Sequence, residues 1–200
     1  MSRPPLTPSQ TVGPFFHPAM VNQIIPQHVL TIPETQGERI RIEGRVFDGD
    51  GAPVPDALVE IWQANAYGRY NHPADDSDAP LDPTFIGYAR SETGEDGRYW
   101  FETIRPGPVR FDRDRMQAPH ISLTIFARGL LHQLFTRLYF ADDPATAIDP
   151  VLQYVPEGRR STLLARPVLD SDTPVYTFDI ILQGVRQTAF LNATRAIADR

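Results

Sequence analysis

The sequence predicts an all-β sandwich, on three observations. Apolar and polar residues alternate with period two in several short runs, Gly/Pro-rich turns separate those runs, and no long stretch carries a 3.6-residue apolar period. The 200 residues include 20 prolines and 13 glycines, a composition suited to many strands joined by tight turns. At this length the chain can bury one substantial core.

The elements follow in order. In residues 40–47 Ile40, Ile42 and Val46 point one way and Arg41, Glu43 and Arg45 the other, as in a half-buried strand. "DGDGAPVPDA" is dense in turn residues and leads into a second strand over 58–65. "FIGYARS" (85–91), "GRYWFETI" (97–104), "HISLTIFA" (120–127), "LHQLFTRLYF" (131–140) and "VYTFDIILQG" (175–184) supply five more. One short helix is expected around 156–165. Residues 65–84 form a long polar loop, and loops of this length in compact domains usually carry function or assembly. Residues 1–35 lack a clear period and are Pro-rich. They read as an arm that packs on a partner chain, since Phe15, Phe16, Ile24 and Ile25 would otherwise expose an apolar patch. The sandwich domain then spans 36–200.

Composition excludes several classes. A formal charge of −6 disfavours nucleic acid as the main partner. The absence of cysteine excludes disulfides and thiolate metal sites. No apolar run is long enough for a membrane-spanning helix, and the first residues lack the pattern of a signal peptide, so a cytoplasmic protein is expected.

Within the strand at 120–127, His120 is followed two residues later by Ser122. Alternation would put two histidines at this spacing on one face, as in a metal-binding strand, but the second imidazole is missing. Taken alone, His120 reads as a core or interface histidine. His17, His28, His72 and His132 show no ligand spacing and read as surface or interface residues. Asp75, Asp76 and Asp78 read as a solvated loop, and neither Ser9 nor Ser122 has the companions of a nucleophile.

Read together and in order, "SQTVGPFF", "GRVFDGDGAPVPDALVEIWQANAYGRY", "TIRPGPV", "APHISLTIFARG", "RLYFADDP" and "YTFDIILQG" resemble the intradiol ring-cleaving dioxygenases, from about Thr7 to Gly184. The family resemblance implies a β-sandwich and a non-haem ferric ion held by two tyrosines and two histidines. Hard phenolate donors stabilise Fe(III), and a catechol chelated to it becomes reactive toward O2. The first family tyrosine falls at Tyr70, but the second falls at Val109. The histidine pair falls at His120 and Ser122, and an arginine that assists charge build-up on substrate falls at Gln117. Valine has no donor and serine is a poor one at neutral pH, so Tyr70, Val109, His120 and Ser122 are expected to be a vestigial ligand set binding no metal. Restoring Tyr at 109, His at 122 and Arg at 117 is expected to move the pocket toward iron.

This broken set is similar to the α chain of family members built from two homologous chains, in which the β chain carries the Fe(III). The resemblance then implies a β-subunit partner in a larger oligomer, with a small aromatic acid and O2 as substrates. It implies no catalytic residue here, and a substrate-site lining from Thr11, Gly13, Pro14 and Arg128. An arginine near the pocket suits a carboxylate, and glycine permits close backbone approach. Two alternatives stand beside this reading. A self-sufficient enzyme would have to recruit Tyr67, Tyr88 or Tyr99, and a transthyretin-like binding module would share only the strand–turn–strand at 44–62.

Overall fold

The structure, a computed structural model, describes residues 7–11, 13, 28–169 and 173–191. Eleven strands run in order: β1 (Arg39–Phe47), β2 (Leu58–Trp62), β3 (Tyr88–Glu92), β4 (Arg98–Ile104), β5 (Val109–Arg110), β6 (Met116–Gln117), β7 (His120–Phe126), β8 (Leu134–Phe140), β9 (Leu164–Val168), β10 (Val175–Thr177) and β11 (Ile180–Ile181). One layer is ordered β4-β1-β10-β9, and the other is ordered β3-β2-β7-β8-β9. Strand β9 belongs to both. It pairs parallel with β8 through Leu164 and Ala165, then antiparallel with β10 through Arg166–Val168.

The alternation read from the sequence decides which face is buried. Ile40, Ile42, Val46 and Phe101 from one layer meet Val59, Ile61, Ile121, Leu123, Ile125 and Phe140 from the other, all at 1% exposure or less. Each such side chain contributes roughly 1.5–3 kcal/mol on leaving water. The opposite face of the β2–β7–β8 sheet carries Trp62, Ser122 and Arg137 in one row, because Trp62 pairs with Ser122 and Ser122 with Arg137.

Several boundaries differ from expectation. The long C-terminal strand is broken into β10 and β11 at Phe178–Asp179, where the chain shifts along β1: the Phe178 amide donates to the Glu43 carbonyl, and the Asp179 carboxylate accepts from the Arg45 amide. The Phe178 carbonyl lies so close to Gly44 that a Cβ there would sit 1.8 Å away, and it also accepts from the buried Tyr99 hydroxyl at 2.6 Å. The expected helix shrinks to α1 (Glu157–Arg160) and one 3-10 turn (Ser161–Leu163), because β9 claims the residues from Leu164 on. Its Pro167 hid that strand from propensity rules. The third expected strand starts only at Tyr88, since Gly87 turns the chain at φ +76. Most of the expected arm, including Pro14, Phe15, Phe16, His17, Ile24 and Ile25, lies outside the described residues.

Gly44→Ala should destabilise the fold by about 1–3 kcal/mol or more, since the clash is with backbone that cannot yield cheaply. Tyr99→Phe should cost about 1–2 kcal/mol by leaving a carbonyl unpaired. Urea denaturation of the two variants checks both values.

Candidate functional site

The segment "WQANAYGRY" builds the site wall through its own side chains. Asn65 Oδ1 accepts from the amides of Tyr67 and Arg69, and its Nδ2 donates to the Pro80 carbonyl, closing the loop. Gly68, at φ +82, lies against the Pro108 backbone, where a Cβ would come within 2.0 Å of the carbonyl oxygen. The Gly107 amide donates to the Asn65 carbonyl. These contacts lock the "RPGP" turn, and with it Val109, beside the loop that carries Tyr70. The Tyr70 amide in turn donates to the Asp75 carboxylate at 2.7 Å. Asp75 is thus a structural acceptor, not only a solvated acid. Its hydrogen bonds from Ser77 and Tyr70 hold its carboxyl below the usual range against the opposing effect of burial.

Tyr70 and Val109 line one cleft of about 560 Å³, with Trp62, Gly68, His72 and Phe111 among the other lining residues. Trp62 stacks on Tyr70 at 5.6 Å between ring centres, and His72 meets Trp62 edge-on at 6.3 Å. No spacing signal places His72 here, because its position comes from the fold of the loop.

Behind this wall the Tyr70 hydroxyl meets His120 Nε2 at 3.4 Å. The other ring nitrogen, Nδ1, lies 2.8 Å from the Ala118 carbonyl, an acceptor only. That contact assigns the proton to Nδ1, leaves Nε2 with a lone pair, and makes the Tyr70 hydroxyl the donor. His120 sits on the outer face of β7, yet is only 1% exposed, because Tyr70 and Tyr139 cover it. Burial, reinforced by the positive charge of Arg137, pushes its pKa down to about 4, so the imidazole is neutral near pH 7. Burial raises the Tyr70 phenol, with Arg137 opposing and Asp75 adding to the shift. Protonated phenol and neutral imidazole therefore satisfy each other.

The remaining positions close around this pair. Val109 is the cross-strand partner of Gln117 in the β5–β6 hairpin. Ser122 follows on the same face as His120, opposite Arg137. Arg137 was not singled out by the sequence: its Nη1 donates to Gln117 Oε1 at 2.7 Å and to the Tyr139 hydroxyl at 3.4 Å. The floor is held by Asp149, 1% exposed, which accepts from the amides of Ala118, Val151 and Leu152 and from the Tyr139 hydroxyl.

The donor set does not fit a ferric centre. Of the four positions, only Tyr70 and His120 offer suitable atoms, since Val109 has no donor and the Ser122 hydroxyl is a poor one at neutral pH. Of the three substitutes, Tyr67 is 49% exposed on the surface and the other two are committed elsewhere. Tyr99 donates to Phe178 inside the core, and Tyr88 donates to Glu60.

Of the expected substrate-lining residues, Thr11 and Arg128 lie elsewhere, and Pro14 falls outside the described residues. The Thr11 hydroxyl accepts from the Gly129 amide at 2.8 Å, which brings it next to Arg128. Arg128 pairs with Asp56 at 3.2 Å, both largely exposed. A Cβ at Gly13 would touch nothing within 4 Å. Arg128 follows the end of β7 whereas His120 begins it, so at about 3.3 Å per residue the two lie roughly 25 Å apart.

His120 sets a pH dependence. The unfolded imidazole takes up a proton near 6.5 and the folded one only near 4, so the stability from burying it neutral is intact above about 6.5 and is lost as pH falls toward 4. The urea midpoint of His120→Gln should therefore fall less between pH 7 and pH 5 than that of the unaltered chain. Equal falls would contradict the assigned burial of a neutral ring.

The comparisons with known proteins agree with this geometry. A Dioxygenase family profile (Dioxygenase_C) matches residues 12–184. The protocatechuate 3,4-dioxygenase alpha chain of Burkholderia cepacia is 40% identical over 197 residues, covering 93% of this chain and 96% of the relative. The beta chain from the same organism is also 40% identical, over 186 residues, covering 90% and 77%. Among solved structures, the dioxygenase domain of a dioxygenase–carbohydrate-binding protein fusion from Streptomyces sp. SirexAA-E is 26% identical with a TM-score of 0.62, covering 90% of this chain and 99% of that one. With the sandwich, the loop that presents Tyr70 and the strand that presents His120 all in place, the chain belongs to the intradiol ring-cleaving dioxygenase family.

Proposed function

We propose that this chain is the α subunit of a protocatechuate 3,4-dioxygenase, a subunit that binds no iron and works only with a homologous β chain. The observation that carries this reading is the selective loss of donors. Val109 and Ser122 stand at two ligand positions while the surrounding scaffold is intact. Overall identity does not choose between the chains, since it is 40% to both an alpha and a beta relative. The residues at the ligand positions favour the alpha chain. Both a self-sufficient enzyme and a transthyretin-like module are disfavoured: the first because Tyr88 and Tyr99 are committed to other partners, the second by a family match over 12–184.

In this reading the Fe(III) of the β chain supplies the Lewis-acid and redox chemistry that lets O2 open the ring between its two hydroxyl-bearing carbons, giving 3-carboxy-cis,cis-muconate. The α chain supplies the rim of its partner's pocket. Thr11, Gly13, Pro14 and Arg128 serve another chain's site, which accords with the roughly 25 Å between Arg128 and the vestigial pocket of its own chain. An exposed Arg128–Asp56 pair holds weakly, so the guanidinium can exchange Asp56 for the substrate carboxylate. Residues 1–35 act as an arm on the partner, residues 36–200 as the sandwich, and the αβ pairs assemble further in the cytoplasm. Among the described residues no helix is long and apolar enough to cross a membrane.

Co-expression with a β chain should yield a coloured complex with iron equivalent to the β content, whereas the α chain alone should be colourless and inactive. Stoichiometric iron and ring cleavage by the α chain alone would refute the assignment. In the complex, Arg128→Ala should raise KM for protocatechuate about 10-fold or more, the scale of one charge-assisted hydrogen bond, with iron content unchanged.

A further inference from the structure

By sequence, the family's helper guanidinium is missing at Gln117. The structure nevertheless brings a guanidinium against the Gln117 side chain from β8, where Arg137 Nη1 donates to Gln117 Oε1 at 2.7 Å. We propose that Arg137 is the resident cation of the vestigial site, occupying the space left by the absent ligand at 122 and excluding a metal ion from it. This rests on reading the chain as the iron-free subunit and names the residue that enforces that state.

Register supplies the first argument. Ser122 pairs with Arg137 and His120 with Tyr139 across β7 and β8, so these four side chains share one face. Opposed Cβ atoms lie about 4.5–5.5 Å apart, and the small serine leaves room for the arginine stem to cross in front of it. A histidine at 122 would contend for that room.

Hydrogen bonding supplies the second. The guanidinium reaches Gln117 Oε1 at 2.7 Å and the Tyr139 hydroxyl at 3.4 Å, and both of these partners are neutral. A glutamine carbonyl at 117 suits an arginine at 137, whereas an arginine at 117 would lose the acceptor and set two cations head to head. The positive charge has been relocated, not deleted.

Charge supplies the third. Arg137 acts on the ionisation of Tyr70, His120 and Tyr139 alike, so it lies within electrostatic reach of both surviving ligand positions. Its repulsion of a trivalent ion is three times that of a unit charge at the same distance. The spacing of the surviving donors is not the obstacle. Atoms 3.4 Å apart can both reach a common ion at typical bond lengths of about 2.0–2.2 Å.

The test is metal loading of purified chains. The unaltered chain should take up no Fe(III). Contrary to the expectation from the sequence alone, a variant carrying Val109→Tyr, Ser122→His and Gln117→Arg should also fail to load while Arg137, paired with position 122 and bonded to position 117, remains. Adding Arg137→Gln should raise iron affinity at least about 10-fold and give the visible tyrosinate-to-iron charge-transfer band. Stoichiometric loading of the triple variant, or failure of the folded quadruple variant to load, would overturn the inference. Iron in the unaltered chain would instead overturn the subunit assignment. Should the quadruple variant not fold, Co(II) binding to Ser122→His is compared with and without Arg137→Gln. An affinity gain of about 10-fold with glutamine, and none with Arg137→Lys, supports the inference. Equal affinities, or an equal gain with lysine, defeat it.

Discussion

The contact on which this account depends is the hydrogen bond from the Tyr70 hydroxyl to His120 Nε2. It joins a loop to a strand and sets a phenol oxygen and an imidazole nitrogen, the two donor atoms left in the proposed ligand set, against each other. Its direction is set one step away, where the Ala118 carbonyl takes the Nδ1 proton and leaves the facing nitrogen as an acceptor. Ala118 is itself held by the Asp149 carboxylate, which also binds the Tyr139 hydroxyl above it. The pocket has therefore not decayed into a loose cavity. It is a connected network of phenol, imidazole, carboxylate and guanidinium.

If the chain is the iron-free subunit proposed above, the same geometry explains how the fold stands without a metal. Iron in such a site organises its ligands but lies outside the hydrophobic core, which sits on the other face of the β2–β7–β8 sheet. The core residues Ile121, Leu123 and Ile125 alternate with the ligand positions along one strand, so the same seven residues build the sandwich and present the site. Substitution on the outer face leaves the inner face untouched. Buried polar groups still need partners, and the network provides them.

Much of this was legible in the sequence, for a physical reason. Period-two alternation reports directly which residues face the core, so the seven expected strands all correspond to observed ones, and His120 and Ser122 fall on one face as the spacing requires. The missing elements were those that alternation cannot announce. Strands β5 and β6 have two residues each, and β9 contains a proline that propensity places outside sheets. The break between β10 and β11 depends on a carbonyl packing against Gly44 from a distant segment. Arg137 escaped notice because its role comes from pairing with Ser122, a register no single-strand pattern contains. Asp75 was misjudged because its partner, the Tyr70 amide, is local but leaves no mark in composition.

The most direct test is anomalous X-ray scattering at the iron edge from crystals of the complex formed with a β chain. The account predicts one strong peak per αβ pair, within the β chain, and no density above noise between Tyr70 and His120. A peak of comparable height between those two residues would contradict it.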